Sequence, residues 1–195
     1  MLEVEAKFRI ADSAAFESRV ASLFGATFGA PAVESDVFFR NDAAGFPDEG
    51  KSLRLRRRGN ELMTTFKGPL LDAATKTREE IELPIASGAN VDESADAWTR
   101  FFARLGFQSA ARVEKTRRRC RFQYASRDFE ATLDVLDGIG TFAELETIAT
   151  ESEFDAARRA TLDLAAALGL GDPVKSSHLA LALAAQKGGE IEEER

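Results

Sequence analysis

The sequence predicts an α+β protein whose strands each carry one charged face and one apolar face, with helices packed on the apolar side. Two observations lead to this fold class. Eight segments alternate charged and apolar residues, as strands do because successive side chains point to opposite faces. Other segments repeat apolar residues every three or four positions, which is typical of amphipathic helices. With 195 residues, of which 44% are hydrophobic and 30% charged, the chain has the size and composition of one soluble domain.

The first strand, at residues 2–10, shows the alternation most clearly. The residues that share its charged face are Glu3, Glu5, Lys7 and Arg9. Two carboxylates two residues apart can share a hard cation, and a lysine in the same row can hold an anion that the cation also contacts. The alternative is an edge strand with a solvated polar face.

Between residues 12 and 85 the pattern predicts one helix and four strands. These elements are a helix from Ser13 to about Gly25 and strands at 33–40, 52–58, 62–68 and 76–85. The strand at 52–58 places Arg54, Arg56 and Arg58 on one face. A Gly-Asn pair at 59–60 predicts a hairpin turn into the strand that follows. Asp36, in the strand at 33–40, is an isolated acid to which the sequence assigns no role.

The second half of the chain repeats this design. Its predicted elements are a helix at 91–105, strands at 112–122, 129–136 and 141–148, and helices at 151–168 and 176–186. Three residues of these elements fall on apolar faces and are predicted to lie in the core, namely Trp98 and Phe101 in the helix at 91–105 and Cys120 in the strand at 112–122. We therefore expect a single domain at 1–186, followed by an acidic tail at 187–195.

Charge and the rare residue types exclude several classes of function. Lys and Arg number 26 against 33 Asp and Glu, a net charge of −7 that disfavours nucleic-acid binding. The single cysteine rules out an intramolecular disulfide and argues against a cysteine-based zinc site. The single histidine, His178, is expected at the surface or at a helix cap, so carboxylates would hold any metal, which favours Mg²⁺ or Mn²⁺. No apolar run reaches the roughly 18 residues of a membrane span, and we expect a cytoplasmic protein.

The charged rows define the candidate site. Its cations are Lys7, Arg9, Arg54, Arg56, Arg58, Lys67, Arg78, Lys115, Arg117, Arg119 and Arg121, and its anions are Glu3, Glu5, Glu80, Glu82, Asp134, Glu144 and Glu146. These rows either face water from an open sheet or line a closed barrel, and eight strands suffice to enclose one small ligand. Cations dominate two strands and glutamates two others. This segregation favours the tunnel, since a metal-bound polyphosphate needs an acidic region beside a basic one.

Six motifs resemble the CYTH superfamily, whose members are also called triphosphate tunnel metalloenzymes. The motifs, in chain order, are Glu3-x-Glu5-x-Lys7, Leu53-Arg54-Leu55-Arg56, Phe66-Lys67-Gly68-Pro69, Arg78-Glu79-Glu80-Ile81-Glu82, Glu114-Lys115-Thr116-Arg117, and Leu133-Asp134 with the segment Gly140 to Glu146. The resemblance extends from residue 2 to about residue 183. It implies an eight-stranded antiparallel tunnel with covering helices, in which basic residues hold a triphosphate and acidic residues hold a divalent metal.

The resemblance also implies roles for individual residues. The metal-side carboxylates would be Glu3, Glu5, Glu144 and Glu146. The triphosphate-binding residues would be Lys7, Arg54, Arg56, Lys67, Lys115 and Arg117. Asp134 matches an acid near the reacting sugar or its metal, so the expected catalytic residues are Glu5, Asp134 and Glu146. Replacing Arg56 or Arg117 with alanine is expected to weaken triphosphate binding while barely disturbing the fold. Arginines without a firm counterpart in the family, expected to be structural or solvated, are Arg58, Arg119 and Arg121.

The implied function is a divalent-metal-dependent reaction on a triphosphate, most similar to class IV adenylate cyclases, which convert ATP to cyclic AMP and pyrophosphate. The alternative enzyme is a thiamine triphosphatase or an inorganic or nucleoside triphosphatase, since all of these share the triphosphate grip. The non-enzymatic alternative is a polyphosphate- or nucleotide-binding module. The expected partner is a small-molecule triphosphate, and a homodimer is left open. One departure from the family is His178, where tyrosine is more usual.

Overall fold

The computed structural model describes residues 1–46, 50–72 and 74–186, and within these ranges it contains eight β-strands and four α-helices. The strands are β1 Leu2–Arg9, β2 Ala32–Arg40, β3 Ser52–Arg58, β4 Glu61–Lys67, β5 Arg78–Ser87, β6 Gln108–Tyr124, β7 Arg127–Leu136 and β8 Gly140–Ala149. The helices are α1 Ser13–Phe24, α2 Val91–Arg104, α3 Phe154–Ala167 and α4 His178–Gln186. The acidic tail expected at 187–195 lies outside the described residues.

The strands close into a barrel, so the predicted fold class is confirmed and the open sheet is excluded. Their order around the barrel is β1-β5-β4-β3-β2-β6-β7-β8, with antiparallel pairing between neighbours. β1 pairs with β8 from Leu2 to Arg9 and with β5 at Leu2 and Glu3. The backbone N–H of Glu5 also donates to the carbonyl of Thr75, with 2.9 Å between N and O. β1 therefore lies between β5 and β8 and closes the barrel, and its charged residues lie at this point of closure.

The apolar faces of β1 and its neighbours pack against α1 and α3 to form the main core. Residues buried there include Ala6, Phe8, Phe16, Val20, Leu133, Leu145 and Leu164. α1 begins after Asp12, whose side chain caps the helix, and ends at Gly25, which takes a left-handed conformation with φ 63°. Cys120 is buried in the same core, as predicted.

α2 covers another part of the barrel through a narrow apolar face. Phe102 packs edge-on against Phe39, with ring centroids 5.0 Å apart, and Trp98 packs beside it. The prediction that Phe101 lies in the core is wrong, because this residue is 51% exposed. Successive helical residues differ by about 100° in direction, so Phe101 lies at the edge of the contact surface that Phe102 fills.

α4 packs on one end of the barrel. Its Leu181 and Ala182 contact apolar residues at the ends of four strands, namely Phe38, Val113, Leu136 and Phe142. The Oγ atom of Ser177 accepts a hydrogen bond from the N–H of Ala180, at 3.1 Å, and so caps the helix. In each of these strands the apolar residue at the end lies on the same face as the charged residues. α4 therefore covers one end of the charged inner face of the barrel, and His178 is directed toward the charged residues.

No helix within the described ranges combines the length and the apolar character that crossing a membrane requires. The domain boundary at residue 186, the cytoplasmic location and the homodimer stay predictions.

Candidate active site

The barrel encloses a cavity of about 1170 Å³ whose wall includes charged side chains from every strand. The predicted site residues on this wall are Glu3, Glu5, Lys7, Arg54, Arg56, Lys67, Lys115, Arg117, Glu144 and Glu146. Asp134 is fully buried behind the wall, where Lys115 and Arg117 contact its carboxylate. The structure therefore brings the predicted residues into one tunnel and places Asp134 behind two of its cations.

One side of the tunnel holds an acidic region, which we define as Glu3, Glu5, Glu80 and Glu146 around Lys67. The Nζ atom of Lys67 lies 2.8 Å from Oε2 of Glu3 and 2.7 Å from Oε2 of Glu80. Glu5 lies directly opposite Glu146 on the neighbouring strand. Burial raises the pKa of Glu146 well above its ordinary value, and the Glu3 carboxylate raises it further. The surplus of carboxylates over the one lysine suits a divalent cation bound through oxygen.

The adjoining basic region consists of Lys7, Arg54, Arg56, Lys115 and Arg117. Arg117 donates to the carboxylates of both Asp134 and Glu144. Lys115 Nζ lies 3.1 Å from Oδ2 of Asp134, and Lys7 Nζ lies 3.2 Å from Oε1 of Glu144. Burial, followed by the charge of Arg117, lowers the pKa of Lys115 to about 8. Burial alone would raise the pKa of Glu144, but Lys7 and Arg117 hold it well below its ordinary range. This region is crowded with positive charge, which an anion would relieve.

Two acids on β2 complete the basic region, and the sequence predicted no role for either. Asp36 accepts two hydrogen bonds from Arg56, with Nε–Oδ1 at 2.7 Å and Nη2–Oδ2 at 2.6 Å. Glu34 is fully buried and lies 2.5 Å from Nη2 of Arg119 and 3.3 Å from Nη1 of Arg56. Burial alone would raise the pKa of Glu34, but its cations, Arg56 foremost, lower it to about 2. The alternation of β2 placed both acids on one face, and their role becomes visible once the cations of β3 and β6 lie beside them.

His178 faces the tunnel, so the prediction of a surface or capping residue is wrong. Its side chain is 10% exposed, and its Nδ1 lies 3.6 Å from Oδ2 of Asp134. Its Nε2 lies 3.8 Å from Oε1 of Glu144, and its ring packs on Phe142 at 5.6 Å between centroids. Burial, with a further contribution from Lys7, lowers the pKa of His178 well below its ordinary value. The imidazole of His178 therefore lies beside two carboxylates.

Two groups of side chains could hold a metal ion. Within the described ranges, Asp134, Glu144 and His178 offer ligand atoms that all lie within 4.8 Å of one another. Arg117 already contacts both of these carboxylates, so a cation bound there would compete with existing ion pairs. The acidic region has surplus carboxylates and fits a hard cation better. The predicted metal ligands are thus divided, with Glu144 among the cations and the other three in the acidic region.

The three arginines without family counterparts are more exposed than the cations of the basic region, and each forms an ion pair. Arg58 contacts Glu61 through a nitrogen–oxygen distance of 2.5 Å, and Arg119 reaches both Glu34 and Glu130. Arg121 also pairs with Glu130, and its side chain is 83% exposed. These contacts agree with a structural or solvated role.

The closed tunnel joins an acidic region to a basic one, an arrangement that suits a metal-bound polyphosphate. The family model described as the CYTH domain matches residues 1–179. The chain belongs to this family, and the resemblance inferred from its motifs is confirmed.

Individual relatives extend along most of the chain. A candidate adenylate cyclase of Methanocaldococcus jannaschii is 30% identical over 184 residues, covering 93% of this chain and 98% of that protein. The adenylate cyclase CyaB of Aeromonas hydrophila is 31% identical over 172 residues, covering 86% of this chain and 81% of that protein.

Solved structures share the fold. A candidate adenylate cyclase from Vibrio parahaemolyticus has a TM-score of 0.77 at 25% identity and covers 94% of this chain and 99% of its own. HpAC1 from Hippeastrum, for which a dominant triphosphatase activity is described, has a TM-score of 0.62 at 16% identity, with 99% of each chain covered. The second likeness bears on the fold alone.

Proposed function

We propose that this protein is a divalent-metal-dependent enzyme of the class IV adenylate cyclase type, converting ATP to cyclic AMP and pyrophosphate. One observation carries the proposal, namely the acidic and basic regions that share one tunnel. The raised pKa of Glu146 indicates a place for a cation, and the lowered pKa of Lys115 indicates a place for an anion. A metal-bound triphosphate supplies both charges, and relatives named as adenylate cyclases support this choice of reaction.

In this reaction the ribose 3′ oxygen bonds to the α-phosphorus, while the bond from that phosphorus to the oxygen leading to the β-phosphate breaks. The basic region would hold the phosphates and stabilise the charge that develops on pyrophosphate. Arg56 and Arg117 suit this task because Asp36 and Asp134 fix their guanidinium groups before the substrate arrives.

Glu3, Glu5 and Glu146 would hold Mg²⁺ or Mn²⁺ in the acidic region. The bound ion would supply charge neutralisation and a lower pKa for the attacking hydroxyl group. Lys67 lies within this carboxylate group and would limit its net charge.

A triphosphatase is the second candidate, with water in place of the ribose hydroxyl. The charged wall favours it as much as the cyclase, because its groups suit the phosphate chain that all triphosphates share. The fold shared with HpAC1 is compatible with this alternative.

The deciding experiment incubates the protein separately with ATP, thiamine triphosphate and tripolyphosphate, in the presence of Mg²⁺ or Mn²⁺ and in EDTA. Cyclic AMP formed from ATP identifies a cyclase, and orthophosphate released from any of the three identifies a triphosphatase. Ligand that binds and is recovered unchanged in all conditions identifies a binding module and contradicts the proposal.

A further inference from the structure

Four lysines of the described chain are buried in the tunnel wall, and one of them differs from the rest. Lys7, Lys67 and Lys115 each lie within 4 Å of at least one carboxylate oxygen. Lys76 is buried as well, but its Nζ donates to the carbonyl of Ser176 at 3.1 Å. Within the described ranges no ion pair joins Lys76 to a carboxylate. Its charge is therefore the one among the four that no neighbouring acid neutralises at contact distance.

The backbone that carries Lys76 is held in an unfavourable conformation. Its φ is +40°, in the left-handed region that non-glycine residues seldom adopt. Hydrogen bonds on both sides enforce this turn. Asp72 Oδ2 accepts from the N–H and the Oγ1 of Thr75, each at 2.8 Å, and the Thr77 N–H donates to the Asp72 carbonyl at 3.1 Å. Strain that neighbouring contacts maintain is commonly found at functional positions.

The turn is also attached to the strand that carries Glu5 and Lys7. The Thr75 carbonyl accepts from the N–H of Glu5, so the position of Lys76 is tied to the N-terminal motif. The charged groups that act on Lys76 are Lys7 and Glu5 of β1, Glu144 of β8 and Arg78 of β5. Burial, with Lys7 next in importance, lowers the pKa of Lys76 to about 7. Within the part of the chain that the structure describes, the surroundings of Lys76 therefore lack an anion at contact distance that would balance its charge.

We propose that Lys76 is a further contact of the phosphate chain, additional to the six cations assigned from the family motifs. The inference rests on the proposed triphosphate function and extends it. A phosphate oxygen accepting from Lys76 would provide the opposite charge that the other three buried lysines receive from carboxylates. The strained turn then serves to hold an uncompensated ammonium group in the tunnel before the substrate binds.

The test measures tripolyphosphate binding by calorimetry in EDTA and thermal unfolding of the ligand-free protein at pH 6. Lys76→Met is expected to weaken binding by about tenfold or more, which corresponds to one lost hydrogen bond to a charged group. The same variant is expected to raise the ligand-free Tm by roughly 2–4 °C, because it removes an uncompensated buried charge. Lys76→Arg keeps the charge and is expected to keep most of the affinity without the gain in Tm.

The control is Arg100→Met, which removes an exposed positive charge from α2, away from the tunnel wall, and should change neither quantity. Unchanged affinity in Lys76→Met overturns the inference. So does a loss of affinity accompanied by a lower Tm, since that pair of results describes a structural role. If the unaltered protein does not bind tripolyphosphate, the proposed function itself fails and the inference fails with it.

Discussion

Glu144 and Glu146 lie two residues apart on the inner face of β8, yet the tunnel affects them in opposite directions. The pKa of Glu144 lies well below its ordinary value and that of Glu146 well above it, although burial acts to raise both. The difference comes from the strand beside them, because Lys7 of β1 lies opposite Glu144 and lowers its pKa, whereas Glu3 and Glu5 of β1 both raise the pKa of Glu146. A single row on β1 therefore provides an ion pair at one position and a pair of carboxylates at the next.

Two different electrostatic environments therefore lie side by side on one wall of the tunnel. At Glu144 the cations already have a partner, and the contact stabilises the ligand-free fold. Near Glu146 the carboxylates repel one another, and that repulsion is relieved when a cation binds. The ligand-free protein is thus destabilised at the proposed metal site and stabilised by the ion pairs around Glu144.

The largest effect on activity is expected for Glu5→Gln, which removes the carboxylate that lies opposite Glu146 on the neighbouring strand. The substitution keeps the shape of the side chain but removes a negative charge from the proposed metal site, so turnover should be abolished. Binding of tripolyphosphate in EDTA should stay intact or become stronger, because a carboxylate that repels phosphate is gone. Product assays and calorimetry on the same preparation measure the two quantities.

Glu79→Gln is the matched control, since Glu79 is an exposed residue on β5. It should leave both turnover and binding unchanged. Full activity in Glu5→Gln would show that its carboxylate takes no part in the reaction.

The largest effect on stability is expected for Arg117→Ala. This change leaves the buried carboxylates of Asp134 and Glu144 without their shared partner, and breaking a buried ion pair in this way costs about 3–5 kcal/mol. Urea denaturation measures the change in the free energy of unfolding. Arg121→Ala is the control on the same strand, because its 83% exposed side chain should contribute no more than about 0.5 kcal/mol. Equal stability of the two variants would contradict the buried network.

The sequence predicted a milder outcome for Arg117, and the reason is instructive. Alternation along β6 identified the face on which Arg117 lies, but not the residues opposite it. Its partners, Asp134 and Glu144, are separated from it by 17 and 27 positions in the chain. The effect of the substitution on the fold depends on these contacts, which only the pairing of β6, β7 and β8 brings together.

Features of the fold that depend on neighbouring residues could be predicted, and features that depend on distant contacts could not. The strands, their charged faces and most helix positions follow from periodicity, because each depends on residues close together in the chain. An open sheet and a closed barrel share this periodicity, so the family motifs were needed to choose between them. His178 was misjudged because the start of α4 resembles an ordinary helix cap, whereas its burial results from the helix packing across the barrel end.

The smallest effect is expected for Glu146→Gln, and setting it beside Glu144→Gln in the ligand-free protein in EDTA tests the comparison most directly. Since the pKa of Glu146 is raised in the folded state, the folded chain binds more protons than the unfolded chain. The stability linked to this group is therefore present below the unfolded pKa of about 4.3 and is lost as the pH rises through the folded value. At pH 8, Glu146→Gln should stabilise the protein by about 1 kcal/mol, or roughly 2–4 °C in Tm, and the gain should vanish near pH 4.

Glu144→Gln should destabilise the protein at pH 8, because Lys7 and Arg117 lose their charged partner. Thermal unfolding of both variants across this pH range measures the two signs, and a decrease in Tm for both at pH 8 would show that the two glutamates share one environment.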